Sequence, residues 1–180
     1  MEDTADRCLH ELFEEQARRT PENLALEDKN VSLTYTELDD LAERLAAYLR
    51  SKDIRPDDSV GVYMERRAEY VVACLAAMKA GGSYLVLELA YPEALLADVM
   101  SDANPRIVLT QERYADRLPE GTETFCLDEG WDEKLEDLPA VDEGPEVGLD
   151  NLAFISYSAG TTGKPKGIAN SHRAPVLSYQ

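Results

Sequence analysis

Large aromatics, cysteines and bases are all scarce in this chain. Among 180 residues there are one tryptophan, three phenylalanines, three cysteines and two histidines. Cys8, Cys74 and Cys126 are odd in number, far apart and without metal-ligand spacing, so neither a disulfide framework nor a cysteine-bound metal is expected. Cys74 lies among apolar neighbours and reads as a buried thiol. The longest apolar run, Val71 to Met78, falls far short of the ~20 residues that a membrane span needs. The start, Met1-Glu2-Asp3, is acidic where a secretory leader would be basic and then apolar. A reduced, cytoplasmic protein without a membrane span is the expectation. Lys+Arg number 18 against 36 Asp+Glu, a net charge of −18, which argues against a nucleic-acid partner held through its phosphates.

What is present is enough for a core. Hydrophobic residues make up 44% of the chain, ordinary for a globular protein of one domain or the first part of a larger one. Residues 9–19 have the period of an amphipathic helix, ended by Thr20-Pro21, and His10 reads as a surface residue of it. Leu24–Glu27 and Val31–Thr34 are short strand candidates around the turn Asp28-Lys29-Asn30. Thr36 with Asp39 suggests a capping box opening a helix over Glu37–Arg50, with Leu38, Leu41, Leu45 and Leu49 on its apolar face.

From Pro56 the chain alternates. A strand at Ser59–Met64, a helix at Ala68–Lys79 stopped by Gly81-Gly82, a strand at Ser83–Glu88, a helix from Pro92 to Asp102 and a strand at Arg106–Thr110 follow one another. That order predicts an α/β fold, a mostly parallel sheet with flanking helices and right-handed crossovers. Residues 113–150 read as an acidic, loop-rich connection with one short helix near Trp131–Leu135. Between Glu120 and Asp150 twelve acids face one base, Lys134, and a solvated surface is the natural reading. From Asn151 to Gln180 the sign reverses: there is no acid, and Lys164, Lys166 and Arg173 are the charges.

Residues 155 to 167, Ile-Ser-Tyr-Ser-Ala-Gly-Thr-Thr-Gly-Lys-Pro-Lys-Gly, carry the chemistry. Glycines let backbone N–H groups close on an anion, hydroxyls add neutral donors, and a rim lysine adds compact charge. That combination handles phosphate. It is not a Walker A loop, because Ser158 stands where the first glycine should be and Pro165 follows Lys164. Proline also prevents a helix from starting there. The loop is therefore expected to join two strands, one ending near Tyr157 and a short one after Gly167.

The order from Tyr157 to Gly167 resembles the signature loop of the AMP-dependent synthetases, the adenylate-forming enzymes, Tyr-Thr-Ser-Gly-Thr-Thr-Gly-x-Pro-Lys-Gly. Ser158 replaces the usual threonine and keeps a hydroxyl; Ala159 replaces the usual serine and loses one. Leu33-Thr34-Tyr35-Thr36-Glu37-Leu38 is similar to the family's early motif, and Met78 to Leu85 to its Leu-Lys-Ala-Gly-x-Ala-Tyr-Leu motif, continued by Ala90-Tyr91-Pro92-Glu93. The likeness is nearest to adenylation domains of nonribosomal peptide synthetases, although Val86-Leu87-Glu88-Leu89 departs from their Pro-Leu-Asp-Pro.

The resemblance implies that residues 1–180 are the N-terminal part of an AMP-binding (adenylation) domain, the opening of the family's large N-terminal domain. It implies activation of a carboxylic acid, by nearest likeness an amino acid, as acyl-AMP with release of pyrophosphate. Transfer to the thiol of phosphopantetheine or coenzyme A would follow, so a carrier domain or CoA and the rest of the adenylation domain are the implied partners. ATP with Mg2+ is the implied cofactor. Ser158, Gly160, Thr161, Thr162, Gly163, Lys166 and Gly167 are the implied ATP-phosphate residues, and Lys164 falls at the family's variable position. The family's catalytic lysine, adenine-binding and carboxylate-pocket motifs have no counterpart here, so no catalytic residue and no metal ligand are expected within these residues. A fatty acyl-CoA branch, a nucleotide-binding pseudoenzyme and an interaction module remain open alternatives.

Overall fold

The computed structural model describes residues 6–158 and 165–178. Helix α1 (Leu9–Arg19) opens with the Cys8 amide donating to the Glu11 carboxylate at 2.7 Å. It packs Leu9 and Phe13 toward the larger apolar core. Strands β1 (Leu24–Glu27) and β2 (Ser32–Thr34) pair antiparallel as a separate small sheet. The turn between them is held by Asp28, whose carboxylate accepts from the amides of Asn30 at 2.7 Å and Val31 at 3.0 Å. Its second oxygen accepts from the Ala68 amide at 3.0 Å, fastening this sheet to the start of the third helix. These backbone donors hold the Asp28 carboxyl below its ordinary pKa.

Helix α2 (Tyr35–Arg50) begins two residues earlier than its sequence suggests. The capping box is Thr34 with Glu37, not Thr36 with Asp39. The Glu37 amide donates to the Thr34 hydroxyl at 3.3 Å, and the Thr34 amide to the Glu37 carboxylate at 2.8 Å. Two other first-turn donors are satisfied from outside the helix, Tyr35 N–H by the Asn23 carbonyl at 3.0 Å and Thr36 N–H by that of Pro21 at 3.1 Å.

Among the described residues the main sheet has six strands, in the order β6 (Thr124–Cys126), β5 (Ile107–Thr110), β3 (Ser59–Tyr63), β4 (Ser83–Val86), β7 (Leu152–Ser158) and β8 (Lys166–Ser171). Its first crossover runs β3 (Ser59–Tyr63), α3 (Ala68–Lys79), β4 (Ser83–Val86), the next through α4 (Glu93–Ala103) to β5 (Ile107–Thr110). All are parallel, as the alternation predicted. The turn after α3 is a glycine cap: Gly81 has φ +95°, its amide reaches the Met78 carbonyl at 3.0 Å, and Gly82 reaches that of Ala77 at 3.1 Å. Pro145 lies over Gly81, so close that a β-carbon there would come within 2.4 Å of it.

The acidic connection contains short helices α5 (Glu112–Ala115) and α6 (Trp131–Lys134), a 3-10 turn over Leu135–Asp137, and one strand that the sequence did not betray. That strand, β6 (Thr124–Cys126), pairs parallel with β5. Two layers sandwich the sheet. On one face α2 and α3 bury Leu45, Leu49, Val72 and Ala76 against Val60, Val62, Ile107 and Leu109. On the other, α4 buries Leu96 and Val99 against Tyr63, Leu85 and Val108.

One charge lies within the first layer. The Lys79 side chain is 3% exposed, yet it meets carboxylates from two other helices: Glu14 of α1, and Asp39 at 3.1 Å and Glu43 at 3.2 Å of α2. These carboxylates keep the ammonium charged against the desolvation that burial imposes. Beside it, Arg50 pairs with Glu43 and donates to the carbonyls of Val141 at 2.7 Å and Lys79 at 3.3 Å, strapping the acidic connection across the ends of α2 and α3.

Candidate phosphate-binding site

Strand β7 (Leu152–Ser158) enters the main sheet beside β4, parallel to it, with Tyr84 opposite Phe154 and Leu85 opposite Ile155. Strand β8 (Lys166–Ser171) returns antiparallel to β7 as the sheet's last strand. The glycine-rich segment thus joins two strands, which is the arrangement Pro165 demanded. Because β7 runs parallel to β3, β4 and β5, its end at Ser158 opens on the carboxyl edge of the sheet, where ligands of open α/β sheets gather.

The stem of the loop is well defined. Ser158 is paired with Lys166, and Tyr157 with Gly167. Ser158, Lys166 and Gly167 are exposed. Gly160, Thr161, Thr162 and Gly163, with Ala159 and Lys164, lie outside the described residues. The structure therefore brings Ser158, Lys166 and Gly167 together at one loop mouth. Gly167 has a packing reason of its own, since a β-carbon there would meet the Tyr157 ring at 3.0 Å from Cζ.

The charge carried by the loop's own segment favours an anion, and the Asp102 carboxylate near its stem accepts from the Tyr157 hydroxyl at 2.6 Å. The segment from Asn151 to Gln180 has no acid. Of its cations, Arg173 is engaged by Asp150 at 2.7 Å, which holds that carboxyl below its usual range. Lys166 makes no ion pair among the described residues. An exposed, uncommitted ammonium beside a hydroxyl at a strand end is chemically suited to phosphate oxygens.

Two hollows stand out among the described residues. One of about 300 Å³ lies where the chain leaves β3 and β4, lined by Met64, Glu65, Arg66, Tyr70, Leu87 and Glu88. Its rim is an Arg66–Glu88 pair at 2.7 Å. A larger one of about 700 Å³ lies between α4 and residues 115–124, and none of the described loop residues lines it. Among the described residues no group of three or more His, Cys, Asp and Glu side chains converges to hold a metal.

The base of the hairpin is held by a residue that the sequence did not single out. His172, fully buried, follows β8 and accepts the Leu9 amide of α1 on Nδ1 at 3.1 Å. His10, which the helical pattern put on the surface, instead packs edge-on against it, ring centroids 5.5 Å apart. Burial, then the neighbouring imidazole, lowers the His172 pKa to about 4. The cysteines are free thiols; Cys74 is half-buried, and burial pushes its thiol up to about 12. None is poised as a nucleophile. Among the described residues no helix is long and apolar enough to cross a membrane.

Comparison with known proteins places this geometry in a family. The model of the AMP-binding enzyme family matches residues 13–180. A glycine betaine reductase of Emericella nidulans, ATRR, is 50% identical over 177 residues, covering 95% of this chain and 14% of that protein. Tyrocidine synthase 3 of Brevibacillus parabrevis is 39% identical over 171 residues, covering 95% of this chain and 3% of its own length. Among solved structures, the nonribosomal peptide synthetase FmoA3 in its alpha-methyl-L-serine-AMP-bound form superposes with a TM-score of 0.83 at 35% identity, covering 99% of this chain and 20% of its own. VinN superposes with a TM-score of 0.86 at 28% identity, covering 96% and 45%. The chain thus spans a small part of the curated relatives it matches. The loop between β7 and β8, the doubly covered parallel sheet and these matches agree, and the chain belongs to the AMP-binding enzyme family.

Proposed function

We propose that this chain is the opening part of an adenylation domain, and that it supplies the phosphate-handling loop of an ATP-dependent ligase. The reaction joins a carboxylate to the α-phosphate of ATP, forming acyl-AMP and releasing pyrophosphate. The acyl group then passes to a thiol, that of phosphopantetheine on a carrier domain or of coenzyme A. The observation that supports this reading most is that Ser158 and Lys166 face each other where β7 and β8 meet at the carboxyl edge of the sheet.

In this reading Ser158, Gly160, Thr161, Thr162, Gly163, Lys166 and Gly167 form the phosphate site. The glycine amides and hydroxyls hold the β- and γ-phosphates, and Lys166 offsets charge that grows on the departing pyrophosphate. The 50% identity to a glycine betaine reductase makes glycine betaine the first acid to test. A reducing cytoplasm suits its three free thiols.

Exchange of radiolabelled pyrophosphate into ATP tests the reading. A chain extended to the length of the solved relatives should exchange in the presence of an amino acid from a panel that includes glycine betaine. Residues 1–180 alone should not, because positioning from the rest of the domain contributes much of such a rate. Exchange by residues 1–180 would overturn the assignment to an opening part. A second reading, a nucleotide-binding module without catalysis, rests on Ala159 in place of the usual hydroxyl. An extended chain that binds ATP but exchanges nothing with any acid would favour it.

A further inference from the structure

Tyr157 is the last residue of β7 to face α4 before the loop. Its hydroxyl donates to the Asp102 carboxylate at 2.6 Å, across 55 residues of sequence. Its ring lies over Gly167, the residue paired with it on β8; a β-carbon at Gly167 would fall 3.0 Å from Cζ and 3.1 Å from the hydroxyl oxygen. The Tyr157 carbonyl in turn accepts from the Tyr91 hydroxyl at 3.5 Å. Burial and the carboxylate both raise the phenol's pKa, so it stays a donor at any ordinary pH.

The far end of this contact is rigid. Helix α4 is fixed by Leu96, 1% exposed, and Val99, fully buried. The turn leading into it is clamped by Arg117, which donates to the Leu89 carbonyl at 3.0 Å and that of Tyr91 at 3.2 Å. The near end has little else. Lys166 to Ala169 of β8 are all exposed, and β8 pairs with β7 alone among the described strands. A stem so lightly packed needs a tether if the donors it carries are to stay aimed.

We propose that Asp102 is a positioning residue for the phosphate loop, acting through the Tyr157 hydroxyl. The tether sets the ring over Gly167, the ring sets the spacing of the two stem strands, and the spacing sets where Ser158 and Lys166 meet an anion. Sub-ångström errors in such placement are costly to binding and rate. The role rests on the phosphate-loop reading above.

Amide hydrogen exchange and anion titration of this chain test it together. In Asp102→Ala and in Tyr157→Phe, amides of Ser156–Ser158 and Lys166–Ile168 should exchange about three- to tenfold faster, while those of Val60–Val62 stay unchanged. The double variant should add nothing, and Asp102→Asn, which keeps an acceptor, should restore protection. Inorganic tripolyphosphate is the ligand probe, with Lys166→Ala as the comparison; Asp102→Ala and Lys166→Ala should each weaken binding about three- to tenfold. Unchanged stem exchange in Asp102→Ala, or additive effects in the double variant, overturns the tether. If Lys166→Ala weakens tripolyphosphate and Asp102→Ala does not, the positioning role fails while the phosphate loop stands. If stem exchange responds but wild type and Lys166→Ala treat tripolyphosphate alike, the phosphate-loop reading fails and the role falls with it.

Discussion

Strand β3 is buried at every position from Ser59 to Tyr63, and β5 from Ile107 to Thr110, whereas β8 exposes Lys166 through Ala169. The interior strands read as continuous apolar runs because helices cover both faces of a parallel sheet. The outer hairpin is held differently: by its ladder to β7, by the Tyr157–Asp102 bond near the loop and by the Leu9–His172 bond at the base. Stability is concentrated in the body, and the donors proposed to meet an anion lie in the hairpin. The two should therefore respond to different perturbations.

The largest stability effect belongs to the body. Lys79→Ala leaves Glu14, Asp39 and Glu43 facing one another with no cation between them. Removing one partner of a buried ion pair costs about 3–5 kcal/mol. Part of each carboxylate reaches water, which places the expected loss near about 3 kcal/mol. Urea denaturation reads it, and exchange protection at the β7–β8 stem should change no more than global unfolding requires. A loss below about 1 kcal/mol would show that the cluster is a surface network instead.

The hairpin's counterpart is catalytic. In an extended chain that exchanges pyrophosphate, Lys166→Ala should lower the rate by roughly one to three powers of ten, since one preorganised charge-stabilising contact is worth about 1.5–4 kcal/mol. The melting temperature should stay put, because Lys166 is exposed. Lys164→Ala, at a position where the resemblance accepts many residues, should change the rate little. Equal losses in both variants would reduce the two lysines to a diffuse basic rim.

Acid should act first at the joint between the regions. The His172 pKa is lowered from 6.5 to about 4 in the folded chain. The unfolded chain therefore binds the extra proton first, and folding loses stability as pH falls from about 6.5 toward about 4. Above 6.5 the contribution is fully present. The shift corresponds to about 3 kcal/mol at the acid end. His172→Gln, which can still accept the Leu9 amide, should flatten that limb of the stability–pH curve. An unchanged acid limb would assign the acid sensitivity to other groups.

Much of the body was legible because its signals are local. Helix α3 falls at Ala68–Lys79 as read, since an apolar run ends in two glycines that force a left-handed cap. The short strand β6 was not, because three residues, Thr124–Cys126, carry no period and pair only through β5. Lys79 gave no sign of burial, its partners lying at positions 14, 39 and 43. The family was legible in the loop's residue order, but the bond at its stem was not: nothing in a sequence joins Asp102 to Tyr157. His10 was misplaced for the same reason, as the helical period cannot show that β8 ends against α1.

The start of α2 shows how tertiary contacts choose between equal local signals, and it gives the smallest predicted effect. Thr34-x-x-Glu37 and Thr36-x-x-Asp39 both satisfy a capping-box pattern. The carbonyls of Asn23 and Pro21 take the Tyr35 and Thr36 amides, so the helix begins early and Thr34 becomes the cap. Thr34→Ala should therefore destabilise the chain by about 1 kcal/mol, the usual value of a capping hydroxyl. Thr36→Ala removes only a hydroxyl donating to the Pro21 carbonyl at 3.3 Å on an exposed surface, and should cost less. Because the Thr34 hydrogen bonds among the described residues lie within the body, tripolyphosphate affinity should be the same in both variants. A larger loss from Thr36→Ala than from Thr34→Ala would return the cap to the position that the sequence pattern first suggested.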